Sequence, residues 1–326
     1  MNKIIVGKYG KGQCSSIQQA FDMAMNMKGH VDIQILNGIY DEKAHLNRDD
    51  VTIIGEDWVN TVITYDDYAN KIHEDGNKYG TFRTATLRLE GDNIIMKNIS
   101  VINRSGNGRD YGQAVALFAE GDRMQFYNCR LIGAQDTLYM GPKPECPANR
   151  EHELPEEEIV VQPKRQYYKN CYICGDVDFI FGGATAYFNR CEIFSKYNIT
   201  EDDEKYEGKV KGYVAAPCTY RDQKYGFIFR KCRFTGDCPE NTVYLGRPWR
   251  IYAKIVLLEC EIGKRIKAEG WHDWDKAVAR ETAYFGEYHC KYENVAKRQD
   301  WIRMLSTKEA NEHTRKKVLW EYFCED

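Results

Sequence analysis

The chain opens with helical spacing and then changes to patterns that suit strands. Ser16 followed by Gln19 is an N-cap signature, and Ile17, Ala20, Phe21, Ala24 and Met25 recur on one helical face, which predicts an N-terminal helix. Beyond it, short apolar or alternating runs at 31–36, 51–54, 86–89, 94–102 and 114–119 read as strands. No helical pattern alternates with them, which argues against a doubly wound sheet or a βα barrel. Near the end, Ser306 and Glu309 make a capping box ahead of Ala310, Thr314, Val318 and Tyr322 at four-residue spacing. This predicts a C-terminal helix lying over exposed strands.

A weak internal repeat turns the set of strands into an architecture. Five segments, 125–129, 167–171, 187–191, 228–232 and 257–260, run aromatic or aliphatic and close on Cys. Successive cysteines lie 42, 20, 41 and 28 residues apart, and the first three separations are close to one or two units of about 20. Such a period fits one rung of a stacked-strand solenoid. Cysteines in one repeat position predict a core ladder of reduced thiols, because an unoxidised Cys packs as a small hydrophobe. Cys171 and Cys174 form a C-x-x-C with no second pair, a poor zinc site. Two stretches break the repeat, 141–164, rich in Pro and Glu, and 196–211 with an EDDE run, and both read as exposed loops.

Composition narrows the class. With 43% hydrophobic residues, 29% charged and 8 Pro, the chain is globular, and 326 residues bury enough surface to need no disulfide or metal for stability. The 23 Tyr lean towards strands and sugar-binding grooves. A formal charge of −3, with no basic block, excludes nucleic acid as a natural partner. The longest apolar run, 114–119, is far short of the roughly 18 residues of a membrane span. The first ten residues lack the apolar core of a signal peptide, so a cytoplasmic protein is expected, or a secreted one whose leader was removed. No linker divides residues 1–326, and a single domain is expected.

Candidate chemistry lies in carboxylates and carboxamides set in strand-like sequence. The chain has no G-x-S-x-G elbow, phosphate loop, H-E-x-x-H or G-x-G-x-x-G. Instead Gln135 and Asp136 sit in GAQDTLY, Asp178 sits between Val177 and Phe179, and Gln113 opens an apolar run 22 residues before Gln135, about one rung. An ionised carboxylate buried in such a context must pair or shift its pKa, and Arg247 is the obvious cation. Taken singly, Asp136 reads equally as a turn cap, Asp178 as half of a structural ion pair and the glutamines as a hydrogen-bond ladder.

Taken together, GQAVAL (112–117), GAQDTLY (133–139), RQYYKNCYICGDVDFIFG (165–182) and LGRPW (245–249) resemble, in order, the signature blocks of the pectin methylesterases, and the similarity continues through GWHDWD and AYFGEY. The resemblance implies an all-β, right-handed parallel β-helix. It implies an esterase that demethylates galacturonate in pectin or its oligosaccharides, with Asp178 as nucleophile and Asp136 as general acid and then base. By the same resemblance Gln113 and Gln135 donate to the oxyanion, Arg247 pairs with Asp178, and Trp249, Tyr139, Val177 and Phe181 line the sugar cleft. No metal or cofactor is implied. Asp176 departs from the family, which usually has a small or hydroxylated residue there, and in a regular strand it would share a side with Asp178. Ala134 and Gly183 also depart, and the 141–164 loop is expected to wall one end of the cleft. A galacturonan depolymerase and a non-catalytic pectin-binding solenoid remain open alternatives.

Overall fold

The structure, a computed structural model, describes residues 2–142, 164–198 and 209–320. Among these, the strands form parallel sheets of eleven, nine and seven strands. The chain visits them in rotation: Arg165–Lys169 in the long sheet is followed by Tyr172–Gly175 in the nine-stranded sheet, Val177–Gly182 in the seven-stranded sheet and Thr185–Asn189 back in the long one. Strand order within each sheet follows chain order, which is a parallel β-helix.

The Cys repeat marks one corner of six successive rungs, from Cys129 to Cys290. Asn128, Asn170, Arg190, Lys231 and Glu259 each take a left-handed backbone conformation between the long and nine-stranded sheets, with φ of 50–55°. The Cys that follows turns inward. Cys171, Cys191 and Cys232 each donate to a carbonyl one rung back, of Phe126, Tyr168 and Phe188, at 3.5 Å. Cys290 after His289 continues the ladder by a rung that the sequence pattern missed. All ten described cysteines are unpaired thiols. Beside them, Phe126, Tyr168, Phe188 and Phe229 stack face to face with centroids 4.5–4.8 Å apart.

Three sequence expectations need correction. The spacings of 42 and 41 are single rungs, because strand 124–127 pairs directly with 165–169, and 185–189 with 227–230. The extra residues lie in the inserted stretches, of which 143–163 and 199–208, including EDDE and the expected cleft wall, are outside the described residues. Met25 is 52% exposed, although Ile17, Ala20, Phe21 and Ala24 of helix Ile17–Met25 do enter the core. At the C-terminus one helix was expected; the chain forms Thr307–Ala310, a 3₁₀ turn and Arg315–Leu319, because Thr314 is extended (ψ 150°). Ala310 and Val318 still pack over Tyr167 and Tyr187 on the outer face of the long sheet, and Tyr322 lies outside the described residues.

The thiol ladder makes a stability prediction. Cys191→Ala removes a buried sulfur and its contact with the Tyr168 carbonyl, and should lower unfolding free energy by about 1–3 kcal/mol in urea denaturation without changing the denaturant slope.

Candidate active site

The site lies where the nine-stranded sheet turns into the seven-stranded one. Strand Val177–Gly182 pairs with Gly212–Pro217, but the register slips: Val177 faces Tyr213 and Ile180 faces Ala215, so one extra residue is accommodated. Asp178, in the slip, has φ 49°. Such a bulge re-aims a side chain that the regular alternation would direct elsewhere. Asp136 is also left-handed, at φ 66°, and its amide donates to the Val177 carbonyl at 3.0 Å, which ties the two aspartate turns together across adjacent rungs. The preceding turn is held by the Thr137 hydroxyl, which donates to the carbonyls of Ala134 and Cys174 at 3.1 and 3.0 Å.

Arg247 reaches Asp178 from the loop after strand Val243–Gly246. Nε and Nη2 donate to the two carboxylate oxygens at 2.8 and 2.7 Å, a bidentate pair with only 8% of the Asp178 side chain exposed. The guanidinium carbon also lies 3.8 Å from the ring centroids of both Tyr213 and Trp274. Trp274 is placed by a tight turn: the His272 ring accepts its amide at 2.8 Å, and Asp273 accepts the Asp275 amide at 2.9 Å while pairing with Arg280. His272, Asp273 and Asp275 have donor atoms within 4.8 Å of one another, but these bonds give the cluster a turn-building role.

Asp136 has the opposite environment. Burial pushes its carboxyl well above the usual range, and the negative charges of Asp178 and then Asp176 push it further, against the smaller pull of Arg247. No hydrogen-bond donor serves its carboxylate among the described residues, so the neutral form is the less costly one to bury. Asp176 lies in the bend before strand Val177–Gly182, outside the regular alternation, and its charge reaches Asp136 as that of Asp178 does. Its carboxylate is itself raised by burial, an effect opposed by the amides of Val177 (2.6 Å) and Gly108 and by the side chain of Asn198.

Gln113 and Gln135 are half-buried on adjacent rungs, linked through the Ala114 amide and the Gln135 carbonyl (3.0 Å), and neither side-chain amide is bonded among the described residues. Gly108 packs so closely on Gln135 that a Cβ there would lie 2.4 Å from the glutamine Cβ. Of the predicted cleft residues, Trp249 and Val177 are half-buried. Tyr139 and Phe181 are instead buried, at 0% and 3% exposure, in a satellite cluster with Phe118 and Ala216 beneath Phe82 and Trp249. Sequence reasoning missed Tyr213, Trp274, Gly108 and Asn198; for Trp274 the signal was present in the GWHDWD block.

Fold and site together define a parallel β-helix that sets an arginine-clamped aspartate beside a buried one whose carboxyl is pushed above its ordinary range. The pectinesterase family model matches residues 3–144 and 156–321, and the chain belongs to that family. It is 31% identical over 315 residues to pectinesterase 31 of Arabidopsis thaliana, covering 94% of this chain and 88% of the relative. It is 32% identical to the putative pectinesterase/pectinesterase inhibitor 43 of the same plant, but spans only 37% of its length. Among solved structures, a pectin methylesterase in complex with a hexasaccharide superposes with TM-score 0.81 at 24% identity, covering 99% of this chain and 98% of that one. The carrot pectin methylesterase gives 0.80 at 26%, covering 98% and 93%.

The raised Asp136 carboxyl has a consequence for stability. Its proton is held more tightly in the folded chain, so its contribution is fully present below the unfolded aspartate pKa of about 3.9 and is lost as pH rises through the folded value. Asp136→Asn should therefore stabilise the fold, and by more at about pH 8 than at about pH 4, as read by thermal melting at the two values.

Proposed function

We propose that this chain demethylates methyl-esterified galacturonate in pectin or its oligosaccharides and releases methanol. The observation that carries the reading is the opposed environment of two aspartates one rung apart, Asp178 clamped by Arg247 and Asp136 buried without a donor. Paired carboxyl groups driven to different protonation states divide into acid and nucleophile.

In the first step an Asp178 oxygen attacks the ester carbonyl carbon, and Gln113 and Gln135 donate N–H groups to the oxyanion. The C–OCH₃ bond breaks as the Asp136 proton passes to the departing oxygen, leaving a mixed anhydride on Asp178. Ionised Asp136 then takes a proton from water as its oxygen attacks the galacturonyl carbon of the anhydride. Collapse returns the Asp178 carboxylate to Arg247 and frees galacturonate. Trp249 and Val177 offer apolar surface to the sugar rings.

Methanol release from methylated galacturonan and short methylated oligomers tests the reading. Wild type should release methanol, Asp178→Ala should abolish release, and Gln135→Ala should lower kcat by about 10²–10³. Absence of methanol from both substrates, or its persistence in Asp178→Ala, overturns the assignment. The acid step needs protonated Asp136, so activity is present below its raised pKa and falls as pH climbs through it. Asp176→Asn removes a negative charge facing Asp136 and should move that alkaline limb to lower pH.

A further inference from the structure

The outer face of the nine-stranded sheet carries a cavity of about 340 Å³ that the proposed reaction does not use. Its volume is at the low end of small-molecule sites. The floor is a register-matched row on successive rungs: Arg130 lies beside Tyr172, Tyr172 beside Glu192 and Glu192 beside Arg233. Trp58, from the turn before strand Thr61–Tyr65, and Arg190, from a left-handed corner, complete the lining. Tyr172 shares a rung with Asp178, but the two stand on different sheets.

The charges in this cavity are unbalanced. Glu192 is the one acid in its lining, and it is occupied by Arg233 at 2.9 Å and the Thr235 hydroxyl at 2.9 Å. Beside Trp58, Asp57 accepts the amides of Val59 and Asn60, and Glu56 accepts the amide of Asn37. Arg130, with its guanidinium carbon 5.9 Å from the Tyr172 ring centroid, forms no ion pair among the described residues, and neither does Arg190. Two uncompensated guanidinium groups thus share a half-open cavity with an indole and a phenol ring, on a chain whose formal charge is −3.

This combination selects its ligand by two criteria at once. Guanidinium groups bind carboxylates through directional, charge-assisted hydrogen bonds, and the aromatic rings offer flat apolar surface to a pyranose. A neutral sugar leaves both arginines unpaired, and inorganic phosphate leaves both rings unused. We propose that the cavity is a second carbohydrate site that binds a free uronate carboxylate, and so holds stretches of galacturonan that have already lost their methyl groups. Only the natural source of that ligand rests on the demethylation reading; the recognition chemistry stands apart from it.

The test is ¹⁹F NMR of the full chain labelled with 5-fluorotryptophan, the Trp58 resonance being assigned with Trp58→Phe and the Trp249 resonance serving as a cleft reporter. The probes are trigalacturonate, maltotriose and inorganic phosphate. Trigalacturonate at millimolar concentration should shift Trp58, also in a Trp249→Ala background, while the other two should not. The Arg130→Gln/Arg190→Gln double variant should weaken the response by about tenfold or more, and its melting temperature reports whether it is folded. No Trp58 shift with trigalacturonate, or an equal shift with phosphate or maltotriose, overturns the proposal. Should the double variant fail to fold, the three wild-type titrations decide alone. A chain that releases no methanol but shows the selective Trp58 response loses the esterase reading and keeps this site.

Discussion

Each rung of the solenoid is locked to its neighbours by parallel backbone hydrogen bonds, so a side chain can leave the inward–outward alternation only where the backbone itself departs from it. The corners from the long to the nine-stranded sheet do this routinely, with one left-handed residue each, and their side chains lie towards solvent. Asp136 and Asp178 use the same conformation at the next corner, where the departure serves geometry as well as chain reversal. Held left-handed, a non-glycine residue costs of order 1–3 kcal/mol, and it persists only where surrounding structure fixes it. Here the fixing is visible in the amide of Asp136 on the Val177 carbonyl and in the clamp of Arg247 on Asp178.

Three aspartates and one arginine converge there, and with every carboxyl ionised the group would carry a net negative charge in a poorly hydrated corner. The hydrogen bonds decide how this is relieved. Asp178 has two guanidinium donors and Asp176 has backbone and amide donors, whereas Asp136 has none among the described residues. Asp136 is therefore the carboxyl pushed furthest towards its neutral form by its surroundings, and each neighbouring negative charge makes its proton harder to remove. Asp176 strengthens this division and anchors Gly108, the residue packed against Gln135.

Much of this was legible in the chain. The Cys-terminated repeat is a corner signature, because an Asn or long polar residue tolerates the left-handed turn and a Cys fits the crowded inside of it. Its arithmetic misled at 42 and 41, since residues inserted between strands lengthen a rung without adding one. Asp136 and Asp178 stood out as carboxylates in apolar sequence, and Arg247 as the cation to pair with them. What was not legible depended on loops: the Arg247 sandwich needs Trp274, set by a turn whose geometry no periodicity encodes. Tyr139 and Phe181 carry the right side chains for a sugar platform, but Phe82, from a separate loop helix, and Trp249 lie over them.

Loops are also where a β-helix keeps its freedom to vary. From Ile94–Lys97 to Tyr284–Tyr288 the corner after each long-sheet strand is two residues, whereas the other connections range from the single residue Asp176 to the stretches 141–164 and 196–211. Most groups that finish the site come from the longer connections, Gly108 before strand Leu117–Ala119, Asn198 after Glu192–Ser195, Arg247 and Trp249 after Val243–Gly246, and Trp274 before Tyr284–Tyr288, while Tyr213 stands in strand Gly212–Pro217. Asp178 stands in a stacked strand and Asp136 in the turn before Leu138–Met140, one rung away. The variable corners supply what pairs, protonates and covers them, so sequence change in these loops can alter the site while the register of the rungs stays the same.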